Sequence, residues 1–255
     1  VKMENMVVSN DMGDEVVSGI NLSLYSNQIL GLAGISGNGQ QQLIEAFLNL
    51  RSKIDGKIQI RGVDTANKSI REIRDSGIAY IPEDRRKAMI PGMSIRENLI
   101  LNTYKDSSGL FIDNQDVVKN TEELMAKYSI KAPSSLSLVS SLSGGNKQKV
   151  VVARELSREH IDGGLIIIAE NPTIGLDVQT TQFVREQLLK KRDEGAGILL
   201  VSSDLGEILS LSDTIAVIYN GKIIGTISGK EATSNSVGLM MGGITTRKIS
   251  NEEAR

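Results

Sequence analysis

The chain has 255 residues, a size that suits one α/β domain or a core with a subdomain. Apolar residues make up 40% but aromatics only 3%, with no Trp, so the core must be aliphatic; a net charge of -2 argues against a nucleic-acid platform, which is usually strongly basic. Cysteine is absent, which excludes disulfides and Cys-based metal or redox sites and fits a reducing cytosol, and no apolar run approaches the roughly 18 residues of a membrane span. The first residues, Val1-Lys2-Met3-Glu4-Asn5, lack a signal-peptide pattern, and a start without Met suits a piece of a longer chain.

In chain order, Met3 to Val8 is a first strand candidate. Val16 to Tyr25 alternates Ile20, Leu22 and Leu24 as a half-buried strand should, and Ile29 to Ala33 is a buried strand. A glycine loop follows, Gly34-Ile35-Ser36-Gly37-Asn38-Gly39-Gln40-Gln41-Gln42, and then the amphipathic run Leu43, Ile44, Ala46, Phe47, Leu48. Strand, glycine loop, helix is the context of a phosphate-binding loop, whose backbone N–H groups cradle the anion. The working motif ends in Lys and then Ser or Thr, and here Gln40 and Gln41 stand instead. A neutral amide gives no charge to the β- and γ-phosphates and no hydroxyl to Mg²⁺, so MgATP should bind about tenfold more weakly or worse.

Asp55-Gly56 marks a hairpin turn, Lys57 to Ile60 a strand, and Lys68 to Asp75 a short helix ended by Gly77. Ile78 to Ile81 is a strand stopped by Pro82, after which Glu83-Asp84-Arg85-Arg86-Lys87 has the charge mix of a solvated loop. Ser94 with Glu97 is a capping box. Ile95 to Ser137 is polar and helical, broken at Ser107-Ser108-Gly109 and Ala132-Pro133, with Val117, Val118, Leu124, Met125 and Tyr128 on one apolar side.

Leu142-Ser143-Gly144-Gly145-Asn146-Lys147-Gln148-Lys149 opens a further helix, with Ser143 as a cap and first-turn N–H groups that favour an anion. The only histidine, His160, reads as an exposed residue at that helix's end. Leu165 to Ile168 suits a central parallel strand, at whose carboxyl end Ala169-Glu170-Asn171-Pro172 stands; Gly175-Leu176-Asp177 and a helix from Gln179 to Arg192 come next. Gly197 to Val201 is a strand ending in Ser202-Ser203-Asp204, and Leu205 to Leu211 a helix. Ile215 to Ile218 and Ile223 to Ile227 are strands joined at Asn220-Gly221; Ser228 to Met241 is a small helix and Thr245 to Arg255 a loose polar tail.

The glycine loop, the Ser143–Gly145 stretch and Glu170 to Asp177, in this order, resemble the motifs of the ATP-binding-cassette (ABC) ATPases. The similarity runs from about Val16 to Gly243 and is strongest to the second, degenerate ATPase half of fused subunits that energise simple-sugar and purine-nucleoside importers, which share Pro-Glu-Asp-Arg at Pro82–Arg85. Leu209-Ser210-Leu211-Ser212-Asp213 and Gly238 to Gly243 lean toward the nucleoside branch.

This resemblance implies a RecA-like P-loop NTPase core with a mainly parallel sheet, an N-terminal antiparallel β subdomain and an inserted helical subdomain at about 92–157, all within 1–243. It implies ATP as ligand, with Mg²⁺ weakly held, on Gly34, Ser36, Gly37, Asn38, Gly39, Gln40, Gln41 and Gln42. Glu170 matches the general-base position, Ala169 replaces the Mg²⁺-linked Asp, Ser203 replaces the switch His, Glu83 stands at the Q-loop position and Asp177 in the D-loop. No aromatic occurs between Val1 and Leu24 to stack on adenine. The signature, Leu142, Ser143, Gly144, Gly145 and Gln148, would act in trans on the site of a second ABC ATPase domain, fused upstream. Permease subunits and an extracytoplasmic solute-binding protein are the other implied partners, no nucleic acid is, and the place is the cytoplasmic face of the cell membrane. Two other classes stay open: a regulatory domain that binds no nucleotide, separable by an ATP-binding measurement, and a soluble ABC ATPase acting on nucleic acid or ribosomes, separable by what copurifies.

Overall fold

In a computed structural model, residues 1–102, 114–158 and 163–244 are described. They divide into two compact units, Val1–Ile78 with Ile161–Asn171 and Leu189–Arg255, and Ala79–His160 with Pro172–Leu188. His160, the Ser107–Gly109 break and the tail from Thr245 lie outside the described residues.

The first unit opens with strands β1 (Lys2–Ser9) and β2 (Glu15–Ser23), antiparallel, with Met6, Val8, Val17 and Ile20 buried on the shared inner face. β4 (Asp55–Ile60) pairs on the other side of β1 and β5 (Val63–Asp64) follows it, giving the antiparallel sheet β2-β1-β4-β5. The expected turn at Asp55-Gly56 is not one. Gly56 lies inside β4 at φ +102, and a Cβ there would stand 2.6 Å from the Asn5 carbonyl oxygen. The register shifts between Glu4 and Val7 at this point, so the dipeptide makes an irregularity in the ladder, and the reversal comes later, between Ile60 and Val63 at Arg61-Gly62.

The larger sheet has the order β10-β9-β3-β8-β7-β6. β3 (Gln28–Ala33) runs parallel to β8 (Gly197–Ser202) and β9 (Thr214–Tyr219), and β7 (Ile166–Glu170) parallel to β8. β10 (Lys222–Ser228) returns antiparallel on β9 after the Asn220-Gly221 turn, and β6 (Ile78–Ile81) stands last in the order. β7 and β8 are buried at every residue, which is why both read as unbroken apolar runs rather than alternating ones. Helix α1 (Gln40–Phe47) packs on β1 and β2, α7 (Leu205–Leu211) on β3 and β8, and α8 (Ser234–Met241) on β9 and α7. The expected helix from Ser228 starts only at Ser234: β10 claims Ser228, and Thr233 caps the helix in a reciprocal box with Ser236. A short helix α2 (Ile70–Asp75) is capped in the same way by Ser69 and Glu72.

The second unit is mostly helical: α3 (Ile95–Ile100), α4 (Asn114–Lys127), α5 (Gly144–Leu156) and α6 (Val178–Asp193), the last ending in the first unit. α3, α4 and α5 pack on one another. The Ser94–Glu97 box is formed, and Asn98, fully buried, holds the turn before it by accepting from Ile90 N–H at 2.9 Å and donating to Ser94 O at 3.0 Å. Of the expected apolar side of α4, Tyr128, just past its end, is fully buried and Val117, Val118, Leu124 and Met125 are half-buried, while Thr121 is buried as well.

Candidate functional site

Two separate constellations emerge, one in each unit. The first surrounds the loop between β3 and α1. Ile35, Ser36 and Gly37 are exposed at its crest, and nothing among the described residues accepts from the backbone N–H groups of Ser36, Gly37 or Gly39. Gly37, at φ +94, and Gly39, at φ +98, hold left-handed backbone; a Cβ on Gly39 would lie 2.3 Å from the Val16 carbonyl oxygen. The Asn38 side chain ties the loop down: its amide donates to Ile35 O at 2.8 Å, and its Oδ1 accepts from Asn220 N–H at 2.7 Å. Gly221 N–H adds a bond to Asn38 O at 3.2 Å.

Gln40 is buried and donates its amide to Ile35 O at 3.1 Å, closing the loop on itself. Gln41 points along the helix to Glu45 Oε1 at 2.9 Å, and Glu45 also receives Arg51 Nε at 2.7 Å. Gln42 is half-buried on the next position. Unsatisfied N–H groups ahead of a helix therefore suit a phosphate, without any cation from residues 34–50. No group of three or more His, Cys, Asp or Glu among the described residues could hold a metal ion, and Gln41 is engaged elsewhere.

Glu170 ends β7, and Ser203 follows β8, one strand nearer to β3. Glu170 is largely buried and Ala169 entirely so. The residue that sequence reasoning did not single out is Asn171. Its backbone sits at φ +39, its N–H donates to Val201 O at 2.8 Å, and its Oδ1 accepts from Ser203 N–H at 3.0 Å. A neutral amide thus holds the two strand ends together where Ser203 stands. An Asn directly after a strand was the available signal, since Asn tolerates left-handed backbone better than most residues.

The second constellation is the start of α5. Ser143 caps it, accepting from Asn146 N–H at 3.3 Å, and Leu142 is buried just before it. Gly144 is exposed and a Cβ there would meet nothing within 4 Å; on Gly145 it would stand 2.7 Å from Thr180 Oγ1 and 3.3 Å from Asp177 Oδ2. Gly145 is therefore required by packing against the start of α6, whereas this chain sets no steric demand on Gly144. Gln148, buried, donates to Pro172 O at 2.7 Å. Glu83 is exposed and also lies in this unit.

Asp177 accepts from Thr180 N–H at 2.9 Å and from Thr180 Oγ1 at 2.8 Å. These bonds, the backbone one foremost, hold its carboxyl below the ordinary aspartate range. A depressed folded-state pKa gives a contribution present above the ordinary value and lost as pH falls through the lowered one. Protection of the Thr180 amide from hydrogen exchange should therefore persist at pH 5 and vanish only at more acid pH; loss near neutrality would refute this capping.

Comparison with known proteins fits this arrangement. The family profile described as ABC transporter matches residues 17–162. The chain belongs to the ABC transporter family. As an ABC transporter ATP-binding domain it is 37% identical over 250 residues to the guanosine import ATP-binding protein NupO of Bacillus subtilis (strain 168), covering 96% of this chain and 48% of that protein. It is 34% identical over 247 residues to the nucleoside import ATP-binding protein NupA of Lactococcus lactis subsp. cremoris (strain MG1363), covering 95% and 48%. With the ribose import ATP-binding protein RbsA of Clostridium perfringens (strain SM101 / Type A) it shares 34% over 235 residues, covering 90% and 46%. The chain spans about half the length of the curated relatives it matches. Among solved structures, an ATP-binding subunit of an ABC transporter superposes with TM-score 0.77 at 19% identity, covering 94% of this chain and 98% of that one. The dimeric ATP-binding cassette MJ0796 in a post-hydrolysis state with ADP and Pi gives 0.76 at 21%, covering 89% and 97%. The α/β P-loop NTPase core of the ABC ATPases is thus the fold of this chain. No helix among the described residues is long and apolar enough to cross a membrane.

Proposed function

We propose that residues 1–243 form the second ATPase domain of a fused importer subunit whose own phosphate site has lost its chemistry while its signature completes the site of a partner ATPase domain. The observation that carries this is the contrast between the two constellations. The Gln40 amide turns back to Ile35 O and that of Gln41 to the Glu45 carboxylate, so neither bond adds positive charge to the loop, whereas Gly144 heads a capped helix, exposed and open. Ala169 and Ser203 add to the first side of the contrast, because neither offers the carboxylate or imidazole that the family uses there. Glu170 remains as the one candidate general base, and Glu83 and Asp177 keep the Q-loop and D-loop positions.

The names of NupO and NupA favour nucleosides as the imported class, with simple sugars, as for RbsA, the second choice. Permease subunits would hold the domain at the cytoplasmic face of the membrane, and a solute-binding protein outside would deliver the cargo. In this reading the domain binds ATP through the backbone of Gly34 to Gly39 and the start of α1.

Phosphoryl transfer depends on positioning and charge stabilisation. The purified chain should therefore turn over ATP far below about 1 s⁻¹, the lower end of common enzyme rates. Its ATP affinity, measured by calorimetry, should change little when Mg²⁺ is added. Turnover near that rate, or a steep rise in affinity with Mg²⁺, would show a working site and overturn the proposal.

A further inference from the structure

The segment after Glu83 and the loop Pro172–Asp177 are both tied to the signature helix α5, each by a side chain that donates to a backbone carbonyl. Gln148 reaches Pro172 O at 2.7 Å, and Arg154 Nη1 reaches Ala88 O at 2.6 Å. Both donors are buried, and Arg154 is further fixed by Glu155 Oε1 at 2.9 Å, which also accepts from Asn102 Nδ2 at 3.0 Å. The third side of the triangle is Arg85, whose Nη2 donates to Ile174 O at 3.1 Å and so joins the two tied segments directly. Its neighbour Asp84 does not compete for it: that carboxylate is held by Arg86 through Nε at 2.9 Å and Nη2 at 3.0 Å. Gly175, at φ +64, keeps the loop close, and a Cβ there would sit 3.6 Å from Arg85 Nη2.

Of the three sides, the Gln148 bond is buried, the Arg154 bond part-buried and the Arg85 bond exposed. Arg85 is only half-buried, with an accessible guanidinium, so it is the side that can open and close. We infer that Arg85 is a positioning residue that sets the loop Ile174–Asp177, and with it Asp177 beside Gly145, according to where the segment after Glu83 stands. The bond transmits a displacement of that segment to the loop and the signature without touching nucleotide itself. This inference rests on the proposal that the signature acts on a partner's nucleotide.

The test uses the assembled transporter with Arg85→Ala, Arg85→Gln and Arg85→Lys, and Gly144→Asp in parallel. A charge-assisted bond to one carbonyl is lost in the first two, so kcat for ATP should fall about tenfold while KM for ATP stays unchanged. Arg85→Lys, which keeps a charged donor, should recover most of it. Hydrogen exchange on the transporter should quicken at Ile174 to Asp177 in Arg85→Ala and not along α5. A mere packing role would not separate kcat from KM or be rescued by Lys. A normal kcat in Arg85→Ala and Arg85→Gln, a raised KM, or unchanged exchange at Ile174–Asp177 would overturn the inference. If Gly144→Asp abolishes turnover while the Arg85 variants work normally, only the role of Arg85 falls. If Gly144→Asp is itself harmless, the trans-acting signature fails and this inference fails with it.

Discussion

A transporter carrying Gly144→Asp in this chain is expected to lose ATP hydrolysis and transport by about a hundredfold or more, although the proposal leaves the altered domain little chemistry of its own. The new carboxylate would face the γ-phosphate of a nucleotide bound to the partner domain, where N–H donors are wanted, and like charges in a desolvated site repel by several kcal/mol. The fold should not suffer, because Gly144 is exposed and the space around its Cβ position is open. Thermal melting of the purified variant should therefore match the unaltered chain. Gln40→Ala in the same transporter should be mild, since Gln40 supplies no charge and only one neutral bond to Ile35 O. The decisive comparison measures both at matched expression. A harmless Gly144→Asp, or a Gln40→Ala that does more damage, would reverse the division of labour proposed for the two constellations.

The second large effect is a gain. In Gln40→Lys with Gln41→Ser, a charged donor returns to the loop and a hydroxyl to the start of α1. Charge-assisted hydrogen bonds are worth about 1.5–3 kcal/mol each, so ATP with Mg²⁺ should bind about tenfold to a hundredfold more tightly than to the unaltered chain. The affinity should also acquire a dependence on Mg²⁺. Removing the exposed contact of Gln41 with Glu45 costs little, because Glu45 keeps Arg51 at 2.7 Å. Ala169→Asp is best left out of this variant. Ala169 is fully buried, and an unpaired carboxylate there would carry a desolvation penalty of several kcal/mol. Unchanged affinity in the double variant, by calorimetry, would mean that the loop is not a phosphate cradle.

Much of this was legible in the chain itself, for identifiable reasons. β7 and β8 announce themselves because strands buried on both faces need unbroken aliphatic runs, and α7 because Asp204 caps it by accepting from Gly206 and Glu207 N–H at 2.8 and 3.2 Å. Asp55-Gly56 misled because the same dipeptide serves a turn and a left-handed irregularity inside a ladder; only the partner strand decides. The start of α8 misled because Ser228 is a fair cap by type, yet as the end of β10 it pairs with Thr214 of β9, leaving Thr233 to cap the helix. In the candidate site, the glycines marked the loop before α1 and Ser143 the capped start of α5. The hydrogen bonds of Asn171 with Ser203 and of Arg85 with Ile174 span 32 and 89 residues, and no local pattern reports such pairs.

Asn38 bears on how the glycine loop holds its shape with a neutral glutamine at position 40. The loop is fastened from outside, by Asn220 and Gly221 on Asn38 and by Ser18 N–H on Gly221 O at 2.8 Å, and from inside by Gln40 on Ile35. Its curvature is thus imposed by neighbouring elements rather than by an anion. A loop already held in shape loses little conformational entropy when a ligand arrives, where each backbone residue ordered afresh would cost about 1–2 kcal/mol. The fastening by Asn38, Asn220 and Gly221 does not depend on the side chains at Gln40 and Gln41, so the loop keeps an outer anchor whatever stands at those two positions.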